Sequence, residues 1–440
     1  MSQPQPALPT APAGLSVRIA WRLIPLLFTS YVVAYVDRIN VGFAKLQLRE
    51  ALGADERVFG TVYGFGAGLF FLGYFLFEVP SNLLLQRVGA RLWIARIMVV
   101  WGVVSAATAF TNSTEMFYVM RFLLGVAEAG FFPGVLFYLT YWFPARERAK
   151  TVAMFATGGL VAGIIGSPMS GAILGLNGAC GLAGWQWLFL IEAVPAVALG
   201  VVVLCALPNG PGDVDWLTGD EKRWLVGRLD REAAEMGADG RSRLAAAFTS
   251  PRVWLLCLLY FLLNVAGYGY EMWLPSIIKA FSGQSDFLVG LIAAVPYLAA
   301  AVAMLWTGRH SDRTGERRGH LAVAAFSSAL GFVIAGRLQN PWLAMGALTL
   351  AFIGLKSTLG PFWAVGTSVL SGTAAAGGIA FINSVGNLGG FVGPTLVGVI
   401  RDRTGSSAAA LQILGGALLL MGLLSLLVGE RWNRAGPREA

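Results

Sequence analysis

Long apolar stretches separated by short polar breaks run through nearly the whole chain. Read as segments of about 20 residues, the length a helix needs to cross a hydrocarbon layer, they predict about twelve spans. These centre near residues 30, 70, 102, 130, 164, 198, 263, 298, 330, 355, 390 and 420. The longest polar interruption runs from Pro208 to Arg252 and mixes its charges, as in Asp213, Asp220, Lys222, Arg223, Arg228 and Glu232. Within it, Trp216-Leu-Thr218-Gly-Asp-Glu221-Lys-Arg-Trp224-Leu225 reads as an amphipathic helix on the membrane surface, with Thr218 as N-cap and Glu221 as its reciprocal partner. The expected organisation is a disordered cytoplasmic tail (1–17), a six-helix bundle (18–207), a linker with an amphipathic helix (208–250), a second six-helix bundle (251–430) and a short cytoplasmic tail (431–440). The fold class is an all-α membrane protein with twelve transmembrane helices in two pseudo-symmetric halves.

The halves echo one another. Gly163, Gly166 and Gly171 recur as Gly390, Gly393 and Gly398 at a constant shift of 227, and Arg87 and Gly89 recur as Arg313 and Gly315 at a shift of 226. Any one membrane glycine is explained by close packing alone. The same spacing at nearly one offset points instead to an ancient duplication.

Composition agrees, since 56% of the 440 residues are hydrophobic and 13% charged, with mean hydropathy +0.66. A soluble domain carries about 25% charged residues. The net charge of +8 does not form the single basic stripe of a nucleic-acid binder. Its positives gather at Arg87 and Arg91, at Arg146, Arg148 and Lys150, and at Arg309, Arg313, Arg317 and Arg318, in alternate connections. The positive-inside rule makes those connections cytoplasmic, and an even span count then places both termini there too. The Pro-rich opening, Met1 to Gly14, lacks the charged n-region and cleavage-like end of a signal peptide. Cys180, Cys205 and Cys257 are too far apart to suggest a disulfide framework or a zinc site, and read as packing residues. The two histidines, His310 and His320, fall in one loop, and neither a P-loop nor a nucleophile elbow is present. An enzyme is therefore disfavoured, no cofactor or metal is expected, and the partners expected are the lipid bilayer and a small molecule, with the protein a monomer.

Ionisable residues inside apolar spans are costly and are functional candidates by default. Asp37 and Arg38 stand side by side in the first span, Arg121 and Glu128 share a helix face in the fourth, and Lys356 lies in the tenth. At about 1.5 Å per residue, Asp37 is ~22 Å from an entry near Arg22, and Arg121 ~8 Å from the opposite face. They sit at similar heights, which suggests an Asp37–Arg121 ion pair with Glu128 nearer the midplane. A carboxylate there is pulled one way by desolvation and the other by a neighbouring arginine, and that competition can make a proton switch. The alternative for Asp37 and Arg121 is a static bridge between helices. Lys356 serves as a second cation for a dicarboxylate, pairs with Glu271 or Glu78, or snorkels inward. In the seventh span Gly267 and Gly269, amid Asn264, Tyr268, Tyr270 and Glu271 and before Trp273-Leu-Pro275, suggest a bendable gate, or Trp273 is an interfacial anchor.

Gly308-Arg-His-Ser-Asp312-Arg313-Thr-Gly315-Glu-Arg317-Arg318 resembles the cytoplasmic loop signature of the major facilitator superfamily. There glycine admits a neighbouring helix, and aspartate accepts from that helix's N-terminal amides and from arginine. The matching stretch of the first half, Asn82-Leu-Leu-Leu-Gln86-Arg87-Val-Gly89-Ala-Arg91, lacks the glycine and aspartate. Asp37-Arg38-Ile-Asn40, Glu78-Val-Pro80-Ser-Asn82, Arg121-Phe-Leu-Leu-Gly125-Val-Ala-Glu128, Gly184-Trp185-Gln-Trp187 and Asn383-Ser-Val-Gly-Asn387 narrow the resemblance to the anion:cation symporter branch. It implies import of a small organic anion, such as a sugar acid, tartrate or an aromatic carboxylate, by proton symport across a bacterial inner membrane, the halves rocking about a midplane site. By that resemblance Asp37 and Glu128, with Arg121, carry the coupling proton. By the same resemblance Arg38 binds the substrate carboxylate and Tyr35, Tyr74, Trp363, Asn383 and Asn387 are further lining candidates, to which Asn264 and Lys356 are added from their place in the spans alone. The lysine departs from the family pattern. A drug exporter and a non-transporting membrane receptor are the alternatives.

Overall fold

The computed structural model describes residues 12, 14–236, 249–369 and 373–428. Most of the first tail, part of the linker and the whole of the second tail fall outside them. Every regular element among the described residues is helical. In chain order these are α1 (Leu15–Ile39), α2 (Val41–Ala51), α3 (Phe59–Val88), α4 (Ala90–Thr108), α5 (Thr114–Glu128), α6 (Phe131–Leu139), α7 (Ala145–Ala156), α8 (Gly158–Leu174) and α9 (Gly184–Ala206). After the linker helix α10 (Gly219–Met236) come α11 (Pro251–Glu271), α12 (Leu274–Ser282), α13 (Asp286–Thr314), α14 (Arg318–Ala335), α15 (Pro341–Ser357), α16 (Leu359–Val369), α17 (Thr373–Asn387), α18 (Gly389–Thr404) and α19 (Ser407–Ser425).

Eleven segments among the described residues are long and apolar enough to cross a membrane. The eleventh expected span is not among them; its helices α17 and α18 meet at Leu388, and the segment is rich in glycine with Asn383, Ser384 and Asn387 and ends in Arg401-Asp402-Arg403, which makes it less apolar than the others. Counting α17 and α18 together gives twelve spans. Local chemistry sets many ends. Ser113 accepts from the Met116 amide at 3.2 Å and Asn340 from those of Trp342 and Leu343 at 3.0 and 3.1 Å, while Gly283, Gly315 and Gly405 close helices in the left-handed region.

Four of the six recurring glycines lie where the halves meet, while Gly166 faces Val36 and Gly393 the Val265 backbone within their own halves. In the fifth span Gly163 faces the Tyr297 ring and Gly171 the backbone of Asp286, both in the eighth span. In the eleventh, Gly390 faces Phe71 and Gly398 the backbone of Gly60, both in the second. A Cβ at any of these four positions would collide with the other half, so small residues permit the contact. The echo read from sequence thus marks two equivalent helix crossings.

The bundle end opposite the termini is closed. There Asp402 accepts from the Gly60 amide at 3.0 Å and the Thr61 amide at 2.6 Å, capping the N-terminus of α3 from the other half. Lys45 donates to Ser276 at 3.1 Å and lies over Trp273 at 4.2 Å, and the Tyr63 hydroxyl donates to the Met272 carbonyl at 2.8 Å. The seventh span breaks at Met272-Trp273, just beyond its glycines. Gly267 and Gly269 lie within unbroken α11, and Gly269 packs against Leu414 and Gly393. The bend predicted at the glycines is therefore displaced towards the helix end.

At the terminus-bearing end α10 is clamped to the first half. Thr218 and Glu221 exchange the expected bonds at 3.0 and 3.3 Å, Arg18 pairs with Glu221, and Trp216 stacks on Trp142 with ring centres 5.8 Å apart. The loop signature behaves differently from its expectation. Nothing lies close to a Cβ added at Gly308, and Asp312 pairs with Arg317 at 2.7 Å. The approach to this glycine is from its backbone side, where a Cβ added at Gly360 of α16 would lie 3.8 Å from Gly308 Cα, and no helix fills its side-chain face. In the first half, Gly89 faces Asn209, whose side chain accepts from the Arg91 amide at 3.2 Å, while Arg87 is exposed. The same glycine-aspartate-arginine-glycine spacing recurs as Gly398, Asp402, Arg403 and Gly405. There, at the closed end, both the close helix and the capped amides are present.

Candidate functional site

The first span passes from α1 to α2 at Asn40, and Asp37 and Arg38 lie just before that junction in the interior, at 1% and 9% exposure. The fourth span breaks after Glu128, at Ala129 and Gly130, where Gly130 takes φ of 89°. That break leaves the fully buried Glu128 carboxylate at the end of α5, facing the first span. Arg38 forms an ion pair with Glu128 through one nitrogen and donates to the Tyr268 hydroxyl at 3.4 Å through the other. Its guanidinium lies over Phe70, Tyr74 and Tyr35 at 5.3, 5.5 and 5.9 Å.

Asp37 turns elsewhere, accepting from Ser105 of the third span and from Asn40. The Asp37–Arg121 ion pair expected from depth is absent among the described residues. Arg121 is fully buried over Phe70 at 5.2 Å, with none of its three side-chain nitrogens hydrogen bonded among them. Consecutive helical residues diverge by about 100°, so Asp37 and Arg38 bond to different partners, Ser105 and Glu128. Depth fixed their height and left their direction open.

A second ion pair occupies the other side of the site. Lys356 of the tenth span lies 2.6 Å from Glu271 of the seventh, the Tyr35 hydroxyl donates to Glu271 at 2.8 Å, and Lys356 reaches that hydroxyl at 3.4 Å. Of the alternatives for Lys356, the structure adopts pairing with Glu271. These three residues and Asn264 line a cavity between the halves, with Tyr31, Tyr260 and Tyr268 forming much of its aromatic wall. It contains about 610 Å³, open solvent included.

The other candidates are more dispersed. Tyr74 lies against Arg38, behind the cavity wall. Asn383 donates to Glu78 of the opposite half at 3.1 Å, beside Ser384 at 2.6 Å. Asn387 is buried, and Trp363 packs on Tyr260 with ring centres 5.1 Å apart. Neither these three nor Arg38 lines the cavity itself. Sequence reasoning passed over Glu192 of the sixth span, buried and bonded by Ser170 at 2.7 Å. An acid within an apolar run was signal enough to find it.

Residues 27–394 match the Major Facilitator Superfamily. The chain is 49% identical, over 96% of its length and 96% of the relative's, to an Agrobacterium vitis protein named "Putative tartrate transporter". It is 42% identical to a "Quinolone resistance transporter" of Acinetobacter baumannii, over 94% and 95% of the two chains. Among solved structures it resembles a D-xylose-proton symporter with a TM-score of 0.75, covering 93% of this chain and 97% of that one at 13% identity, a likeness of fold. With a family match across most of its length and relatives of this identity, the chain is a non-enzymatic membrane transporter and belongs to the major facilitator superfamily.

Proposed function

We propose that the protein is a proton symporter of the anion:cation symporter branch, importing a small organic carboxylate across a bacterial inner membrane by alternating access. Both termini are cytoplasmic in this reading, so the closed end faces outward and the cavity opens towards the cytoplasm. The observation that carries it is the Arg38–Glu128 ion pair. Arginine's planar fork suits a carboxylate, and here its partner is a protein carboxylate that a substrate carboxylate can replace. Protonation of Glu128 neutralises the competitor and frees Arg38, the anion takes its place, and the occupied site carries no excess charge through the closed intermediate. Proton release on the inner side restores Glu128 as competitor and expels the anion. Asp37, held by Ser105, and Arg121, buried nearby, tune the field of that pair. The name of the tartrate relative supports a hydroxy-dicarboxylate among the candidate anions, beside sugar acids and aromatic carboxylates.

The quinolone-resistance relative favours a second reading, an exporter. Uptake of labelled carboxylates into proteoliposomes under pH gradients of either sign separates the two. Import predicts accumulation on the side towards which protons flow. Accumulation against the proton flow supports export, and no gradient-dependent movement of any anion in a broad panel removes both.

A further inference from the structure

We propose that Lys356 and Glu271 form a second displaceable ion pair, so that the site is bivalent and takes a dicarboxylate dianion together with two protons. This rests on the reading of Arg38 and Glu128 above and extends it to residues of the other half.

The two pairs are built alike. Each joins one cation and one carboxylate from different spans, Arg38 with Glu128 in the first half and Lys356 with Glu271 in the second. Each carboxylate is nearly sealed from solvent, at 0% side-chain exposure for Glu128 and 1% for Glu271. Tyr35 joins the pairs. Its ring centre is 5.9 Å from the Arg38 guanidinium carbon and 5.8 Å from Lys356 Nζ, which puts the two cationic groups no more than about 12 Å apart. A four-carbon dicarboxylate separates its carboxyl carbons by about 4 Å, and each charge-assisted contact adds about 3 to 4 Å. Such a diacid reaches from one cation to the other, whereas a monocarboxylate engages one and leaves the other pair intact.

Charge balance then sets the proton count. The two pairs together are neutral, and an uncompensated charge in so dry a place costs several kcal/mol. A dianion displaces both carboxylates, and each displaced carboxylate takes up one proton, so the loaded site gains two negative charges and two protons and stays neutral. The groups facing Glu271 are Lys356, Tyr31 and Tyr35 from the first span, Tyr297 from the eighth and Tyr268 and Tyr270 from its own helix. Those facing Glu128 are Arg38, Asp37, Arg121, Tyr74, Tyr31 and Tyr268. The one further acid in either set, Asp37, is engaged by Ser105 and Asn40.

The test compares L-tartrate with its monomethyl ester, a monoanion of nearly the same shape, in proteoliposome uptake under an inward proton gradient. Wild type is expected to prefer the dianion, and its tartrate uptake should not respond to an imposed membrane potential, as two protons per dianion require. Lys356→Met leaves a buried carboxylate unpaired and can fail to fold. The neutral double variant Lys356→Met/Glu271→Gln avoids this, and should lower the preference for tartrate over the ester at least tenfold. An unchanged preference, equal loss of both substrates, or potential-driven wild-type uptake of tartrate overturns the proposal. If wild type takes up neither compound but accumulates another anion with protons, bivalence fails while the symport reading survives. If no anion accumulates, both fail.

Discussion

Replacing Glu128 by glutamine tests how Arg38 is released. The substitution keeps the shape and one acceptor oxygen of the side chain but removes the charge that pairs with the guanidinium. Arg38 stays charged in either case, so the bond changes from one between two ions to one between an ion and a neutral amide, and the competitor weakens. A loss of roughly 1.4 kcal/mol corresponds to about tenfold tighter anion binding at a pH where wild-type Glu128 is ionised. The sign follows from the competition. Wild-type affinity rises as pH falls and Glu128 takes up its proton, and it declines as pH rises, whereas the variant holds its affinity at both ends. Isothermal titration of purified protein with the transported anion at pH 6 and pH 8 reads the effect. Counterflow exchange should persist while uphill accumulation driven by this proton is lost. Wild-type pH dependence in the variant's affinity, or undiminished uphill accumulation, would refute the competition between Glu128 and substrate for Arg38.

Asp402→Ala removes two cross-half bonds to the amides of Gly60 and Thr61. Loss of a helix cap costs about 0.5 to 2 kcal/mol, so the population with this end open should rise several-fold; spin-label distances between Glu56→Cys and Gln284→Cys would report a longer component, and an unchanged distribution would exclude a locking role. Glu221 is held below the usual carboxylate range by the Thr218 amide and by Arg18. The clamp on α10 is therefore present at neutral pH and is lost as pH falls through that lowered value, so hydrogen exchange over 219–236 should be slow at pH 7 and accelerate in acid, and Glu221→Ala should exchange fast throughout. Equal protection in the variant would show that Trp216 on Trp142 suffices.

The spans, the two halves and the capped linker helix were legible because each rests on local pattern: apolar runs, the glycine offset, and Thr218 with Glu221 three residues apart. The candidacy of Asp37, Arg38 and Glu128 was legible from the cost of charge at depth. Their pairing was not. Height along a helix axis comes from residue number, but facing depends on helix rotation and on breaks such as the one at Gly130, which only packing determines. For the same reason Lys356 had several possible partners, and Glu78 meets Asn383 and Ser384 across a sequence separation that no local rule bridges. The signature at 308–315 suggested a close helix against the glycine's side-chain face. That contact forms at 398–405, where the same spacing meets the other half.

The central claim is that proton and anion enter as one loaded unit. It is tested most directly by trapping a pH dye inside proteoliposomes and adding the transported anion outside with no initial pH gradient. The account predicts acidification of the interior that follows anion uptake in the wild type and is diminished or lost in Glu128→Gln. Anion entry with no change in internal pH, or with alkalinisation, would contradict it.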